Sequence, residues 1–191
     1  MSFVYIVRCK FTEPAKEQAW NDWYSGPKIA QMLAKPHFRT CQRFRLASGR
    51  GRDYLALWTL ESPDAFNTTA CKSDWGFFDW ECYVTDWSRD LFDGGDRPES
   101  TFAVPAGGSL SVVSFDGMSP DEARIACSKI APSEPDMRWL PVIGLDRHTP
   151  MIGLNPRPDH ASIKTLTKAG ESSVQQAIYW PISDLYTTAS A

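Results

Sequence analysis

The residues best suited to chemistry are concentrated in one stretch of the chain, residues 21–38. This stretch holds Tyr24, Lys28 and His37 around a Gly26-Pro27 break, at a joint between helical and strand-like spacing. A lysine can act as a base, bind an anion or form an imine, a histidine transfers protons near neutral pH, and a tyrosine can donate to an oxyanion. We therefore predict that all three are catalytic. The alternatives are a solvated lysine, an exposed histidine and a tyrosine that only packs its ring.

Five other residues are candidates for binding a substrate. Arg8 and Arg43 would hold a carboxylate if their side chains faced an enclosed cavity, because a buried guanidinium needs a partner. Tyr5 would donate a hydrogen bond, and Trp58 and Trp80 would form walls against an aromatic ring. On an outward face the arginines would be ordinary surface charges.

The composition of the chain argues against several classes of binding partner. The formal charge of −3 and the scattered basic residues give no support for nucleic acid or an anionic membrane, and no apolar run is long enough to span a bilayer. There is no glycine-rich phosphate loop, and His148 and His160 fit no usual ligand spacing, so we predict no cofactor and no metal. A small aromatic molecule is the expected partner.

The N-terminal residues and the cysteines indicate a cytoplasmic protein. Residues 1–7 lack a basic leader and a cleavage site, and they have the composition of a strand. The five cysteines show no CxxC spacing, which favours reduced, buried thiols.

The first half of the chain alternates strands and helices. Apolar and β-branched runs predict strands at 3–11, 38–46, 54–60 and 80–87. Helical spacing predicts a helix from residue 15 to residue 33, broken by Gly26-Pro27, and a short helix between residues 62 and 73. The resulting order is βαββαβ.

The second half repeats this order after two segments rich in turn residues. We predict strands at 110–115, 137–145, 151–154 and 174–180, and helices at 119–130 and 161–166. Asp90-Leu91-Phe92 and Asp184-Leu185-Tyr186 end the halves alike, which indicates an internal duplication. The expected domains are residues 1–98 and 105–191.

A βαββαβ unit forms an antiparallel sheet with both helices on one face, so its other face needs a cover. We therefore predict an α+β fold in which two ferredoxin-like βαββαβ repeats form a barrel with the helices outside. The barrel would enclose the cavity. It would close either within one chain or across a homodimer, and a homodimer is the expected assembly.

The first half resembles a known group of proteins. Trp23-Tyr24, Pro36-x-Phe38 and the strand at 54–60 followed by Glu61-Ser62-Pro63 resemble the dimeric α+β barrel superfamily of the EthD-like, ferredoxin-like type. The resemblance implies cofactor-independent chemistry on aromatic or polyketide-like molecules by isomerases, cyclases, lyases or small monooxygenases.

The resemblance fails at one informative place. Where such proteins carry a glutamate and a histidine at the end of the first helix, this chain has Pro27 and Lys28. Their Pro-Gly-Phe becomes Pro36-His37-Phe38, so an imidazole returns about nine residues later. The acid–base pair implied by the resemblance is therefore replaced.

These observations lead to one hypothesis and its alternatives. The leading hypothesis is a cofactor-independent lyase acting on a small phenolic or aromatic acid, with Lys28 and His37 moving protons. The alternatives are an isomerase or cyclase, a cofactor-free monooxygenase, and a non-catalytic binding module.

Overall fold

The chain forms a closed antiparallel β-barrel. The computed structural model describes residues 2–73, 75–160 and 174–188. Its strands are β1 (Phe3–Phe11), β2 (Phe38–Gly49), β3 (Tyr54–Leu60), β4 (Val84–Asp93), β5 (Ser109–Ser114), β6 (Arg138–Leu145), β7 (Met151–Arg157), β8 (Gln175–Pro181) and β9 (Tyr186–Thr187). Eight of them form a ring in the order β2-β3-β1-β4-β6-β7-β5-β8, which the pairing of β8 with β2 closes. The barrel therefore closes within one chain, and the homodimer stays a prediction.

The two halves contribute strands in the same relative order. The first half supplies β2-β3-β1-β4 and the second supplies β6-β7-β5-β8, with short β9 pairing beside β2. The predicted helix at 161–166 lies outside the described residues. The two ferredoxin-like repeats and the two-domain division therefore remain predictions, whereas the α+β barrel is established.

A helical layer covers the outer face of the first-half sheet. It begins with α1 (Glu17–Trp23) and continues through a π-helical turn, Tyr24–Lys28, into α2 (Ile29–Leu33). The expected break at Gly26-Pro27 is thus a widened turn inside a continuous helix. A wider turn accommodates Pro27 because proline lacks an N–H and crowds the carbonyl of the preceding turn.

Two further α-helices occur in the described residues. The second predicted helix of the first half is broken into a 3-10 turn and the short α3 (Thr69–Lys72). The second half carries α4 (Pro120–Ile130), whose start matches the prediction from the sequence. The Ser119 hydroxyl accepts from the Glu122 N–H at 3.3 Å, and the Glu122 carboxylate accepts from the Ser119 N–H at 2.8 Å. This reciprocal capping box satisfies backbone donors that a helix end leaves open.

The fourth strand was predicted too early. The sequence placed it at 80–87, but residues Phe78–Tyr83 form a 3-10 helix and β4 runs from Val84 to Asp93. Ser88 and Asp90 are buried on the barrel side of β4 and interrupt its apolar alternation.

The barrel interior is packed with apolar side chains. These residues are Val4, Ile6, Phe44, Leu55, Leu57, Phe92, Phe102, Val104, Leu110, Val112, Leu140, Ile152, Leu154, Ala177 and Tyr179. At one end, Arg8 forms ion pairs with Asp90 at 3.2 Å and Asp116 at 3.0 Å, and Arg52 pairs with Asp116 at 2.9 Å. The inner face therefore holds a core capped by charges.

The cysteines form no disulfide. All five cysteines are free thiols, and four of them are buried. Within residues 2–73, 75–160 and 174–188, no helix combines the length and apolarity needed to cross a bilayer.

Candidate functional site

A cavity of about 190 Å³ lies between the outer face of the first-half sheet and the helical layer. An engineered cavity of about 150 Å³ is large enough to bind benzene. The sequence analysis expected the site inside the barrel. The inner face is instead filled with apolar side chains, and this cavity lies on the outer face of the sheet.

Three strands, the π turn, α2 and the segment at residues 75–81 build the walls. Twelve residues line the cavity: Tyr5, Val7, Tyr24, Lys28, Met32, Trp58, Trp75, Gly76, Phe77, Glu81, Trp87 and Arg89. The central strands supply the floor, the π turn and α2 supply one wall, and residues 75–81 supply the cover. Tyr5 lies directly opposite Trp58, and Val7 lies directly opposite Arg89.

Four of the eight residues singled out from the sequence meet here. Tyr5, Tyr24, Lys28 and Trp58 line the same cavity, although they come from β1, the π turn and β3. Because odd-numbered residues of β1 point outward, Tyr5 faces the cavity while Arg8 faces the barrel interior. The π turn brings Tyr24 and Lys28 to the wall together.

Three of the other four residues take part in packing or ion pairs away from the cavity. Arg8 is held by two aspartates inside the barrel. Arg43 faces the helical layer and donates to the Asn21 carbonyl, the Asn21 Oδ1 and the Ser25 hydroxyl. Trp80 packs against Phe11, with ring centroids 6.2 Å apart. None of the three lines the cavity.

His37 also lies outside the cavity lining. Its Nδ1 is 3.8 Å from a carboxylate oxygen of Glu61, and its side chain is 35% exposed. Its φ of 71° lies in the left-handed region that glycine adopts most easily. Of Lys28, His37 and Arg8, Lys28 alone lines the cavity, so these three side chains do not converge on one site.

The two tyrosines of the cavity are protonated donors. Burial raises the pKa of Tyr5 well above its usual range, and burial likewise raises the pKa of Tyr24. Both side chains are almost fully buried, so a phenolate there would lose its hydration. At neutral pH each tyrosine can donate to an anion but cannot act as a base.

Two further polar groups flank these donors. The Nζ of Lys28 lies 4.8 Å from the centre of the Phe78 ring, and Lys28 is 7% exposed. The indole N–H of Trp58 is also buried, and Trp58 lines the same cavity. Cationic and neutral donors therefore occur together in an aromatic cavity.

The sequence analysis did not select Glu81, Trp87 or Arg89 as site residues. Trp87 and Arg89 are two residues apart on β4, so they share one face. That signal was available, but the strand was predicted to end at residue 87. Glu81 lies in the 3-10 helix that replaces the start of the predicted strand. Within the described residues, no group of three or more His, Cys, Asp or Glu is placed to hold a metal.

Comparisons with solved structures identify the fold. An anthrone oxidase-like protein is 11% identical with a TM-score of 0.61, over 99% of this chain and 94% of that chain. A candidate monooxygenase from Lactobacillus acidophilus NCFM is 9% identical with a TM-score of 0.52, over 98% of this chain and 97% of that chain. A candidate chlorite dismutase is 12% identical with a TM-score of 0.53, over 94% of each chain.

These likenesses establish the class of fold. At such identities they show that the chain shares an α+β barrel fold with these proteins, and they do not extend to the EthD-like type. No family model and no curated protein sequence matches the chain.

Proposed function

We propose that this protein is an enzyme that oxidises a small phenolic aromatic molecule with molecular oxygen in the cavity beside Lys28. The observation that carries the proposal is the set of donors in that cavity. Tyr5, Tyr24 and Lys28 surround one aromatic space, and together they suit the anion formed when a phenol or an activated ring methylene loses a proton.

The reaction follows from the chemistry of such an anion. Removal of a proton from a methylene group conjugated with a ring carbonyl leaves one negative charge, which is shared between the methylene carbon and the oxygen as a phenolate. This electron-rich anion can reduce oxygen without a cofactor. In the balanced change, one methylene group and one molecule of oxygen give one ketone carbonyl and one molecule of water. The methylene carbon is oxidised by four electrons, and the two oxygen atoms are reduced to the carbonyl oxygen and water. The resemblance to an anthrone oxidase-like protein supports this reaction class.

The residues have distinct roles in this proposal. Glu81 is the carboxylate among the twelve lining residues, and we assign it the proton abstraction. Lys28 stabilises the resulting anion by its charge, and the tyrosine hydroxyls donate to the phenolate oxygen. The tryptophans hold the ring plane and keep water from the carbanion.

Oxygen uptake with anthrone as the first substrate tests the proposal. We expect one oxygen molecule consumed per ketone formed, and Lys28→Met should lower kcat/KM by about 100-fold, the usual effect of removing one preorganised donor. Lys72→Met is the control, because Lys72 is exposed on α3 outside the cavity lining. If Lys28→Met turned over as fast as wild type, Lys28 would have no catalytic role.

A lyase is the second candidate, and the burial of Lys28 favours it. An amine in an apolar cavity is suited to attack a carbonyl, releasing water and forming an imine that promotes carbon–carbon cleavage. Hydrolysis of the product imine then restores the lysine. This reaction consumes no oxygen, and borohydride would trap a substrate fragment on Lys28 that mass spectrometry detects.

A further inference from the structure

Arg89 is placed to recognise a ligand from the side opposite the helical wall. It lies on β4 directly across from Val7, and both residues line the cavity. Its side chain is 28% exposed, so the guanidinium is reachable without being an ordinary surface group.

The guanidinium of Arg89 is held in a fixed orientation by the second half of the barrel. Its Nη2 donates to Asp146 Oδ1 at 3.1 Å and its Nε donates to Oδ2 at 3.4 Å. The backbone N–H of Arg89 also donates to Asp146 Oδ2 at 2.9 Å. Asp146 therefore fixes both the main chain and the side chain of Arg89.

Two indole rings complete this arrangement. The guanidinium carbon lies 5.2 Å from the Trp75 ring centre and 5.0 Å from the Trp87 ring centre. Both rings line the cavity. A cation between two aromatic faces loses little entropy when it binds an anion, because its position is already set.

Donors of Arg89 remain available. A guanidinium has five N–H groups, and the pairing with Asp146 uses Nε and Nη2. No other hydrogen-bond partner of this guanidinium occurs in the part of the chain that the structure describes, so Nη1 is open to a ligand. Planar guanidinium groups bind carboxylates with particular geometric fit.

The lining residues of the cavity carry charges of both signs. Lys28 and Arg89 contribute two positive charges and Glu81 one negative charge, while Asp146, outside the lining, pairs with Arg89. If Lys28 stabilises an anion formed during the reaction, Arg89 remains for a charge that the substrate carries throughout.

We infer that the substrate is an aromatic carboxylate whose carboxylate binds Arg89, and that Asp146 is the positioning residue for this contact. The inference deepens the proposed function and rests on the same cavity, but it concerns recognition and not the reaction.

Calorimetric titration with a matched pair of probes tests the inference. The probes are 2-naphthoate, an anion at pH 7, and 2-naphthalenemethanol, a neutral molecule of similar shape. We expect wild-type protein to bind the anion at least tenfold more tightly. Arg89→Gln should abolish this preference while leaving the affinity for the alcohol unchanged.

Two further variants separate recognition from structure. Asp146→Asn keeps a hydrogen-bonding side chain but loses the charge that orients Arg89, and it should reduce the preference for the anion a few-fold. Arg124→Gln is the control, because Arg124 is 73% exposed on α4 and should leave the preference unchanged.

Each possible result either supports or overturns the inference that Arg89 binds a carboxylate of the substrate. Equal affinity of wild-type protein for the two probes, or binding of neither, would overturn it, and this comparison needs no variant to fold. Equal weakening of both probes by Arg89→Gln would also overturn it, because Arg89 would then only shape the wall. A retained preference for the anion with no oxygen uptake, either from anthrone or from an anthrone that carries a ring carboxylate, would support the inference and refute the oxidation.

Discussion

Replacing Arg43 by methionine distinguishes a structural role of this guanidinium from a role in substrate binding. Arg43 is 2% exposed and donates three hydrogen bonds to Asn21 and Ser25, which lie in α1 and the π turn. It also lies 4.3 Å from the centre of the Tyr24 ring. The side chain thus supports the cavity wall from behind.

The expected loss of stability in Arg43→Met is the difference between the free energy of the lost hydrogen bonds and the desolvation cost of the buried guanidinium. Hydrogen bonds from a charged donor contribute about 1.5–3 kcal/mol each, so three contribute roughly 4.5–9 kcal/mol. Against this stands a desolvation cost of several kcal/mol for a buried ion. Burial lowers the pKa of Arg43, which agrees with an appreciable cost of that kind. We expect Arg43→Met to reduce the free energy of unfolding by about 2–3 kcal/mol.

Urea unfolding measures this change. With an m-value of about 2 kcal/mol/M, the midpoint should fall by roughly 1–1.5 M at an unchanged slope. Arg45→Met is the matched control, because Arg45 is exposed and pairs with Glu17 at the surface, and its effect should stay within about 0.5 kcal/mol.

Two results would refute this reasoning. An unchanged midpoint for Arg43→Met would mean that desolvation cancels the hydrogen bonds. Loss of 2-naphthoate binding with normal stability would mean that Arg43 contacts the ligand, as the sequence analysis proposed.

The remaining predictions concern a helix cap, a turn and a buried carboxyl. Ser119→Ala removes the capping box with Glu122 and should cost about 1 kcal/mol in urea unfolding without changing turnover. His37→Gly should raise stability by about 0.5 kcal/mol, because glycine adopts a positive φ without strain, and oxygen uptake should be unchanged. Burial raises the pKa of Asp90 more than Arg8 lowers it. The folded state therefore binds protons more readily than the unfolded chain, so the stability of wild type relative to Asp90→Asn should rise as the pH falls from 7 towards 4. If the free energies of unfolding of wild type and Asp90→Asn in urea differed by the same amount at all pH values between 7 and 4, this prediction would be contradicted.

Much of the local structure follows from the sequence. Apolar and β-branched runs determine β1 and β3, period-two alternation determines β2, and the Ser119-Pro120 start determines α4. Each of these signals depends on residues close together in the chain. Two of the predicted boundaries were wrong for a local reason as well. Buried Ser88 and Asp90 interrupt the apolar alternation of β4. Pro27 lies inside a π turn of a continuous helix, where the sequence indicates a break.

The site itself depends on contacts that the sequence does not contain. The sequence identifies four of the lining residues as candidates, namely Tyr5, Tyr24, Lys28 and Trp58. By residue type alone, however, Arg8 is an equally good candidate. The register of β1 decides between Tyr5 and Arg8, since neighbouring residues of a strand point to opposite faces. Only the closure of the barrel shows which face is packed and which is open.

The sequence by itself determined the α+β class, most strands and the concentration of reactive residues near the π turn. The tertiary structure decided that the cavity lies on the outer face, that His37 adopts a glycine-like turn beside Glu61, and that Asp146 of the second half holds Arg89 at the cavity. The physical reason is that periodicity records which residues are buried, whereas the strand order and the register determine what each buried residue meets.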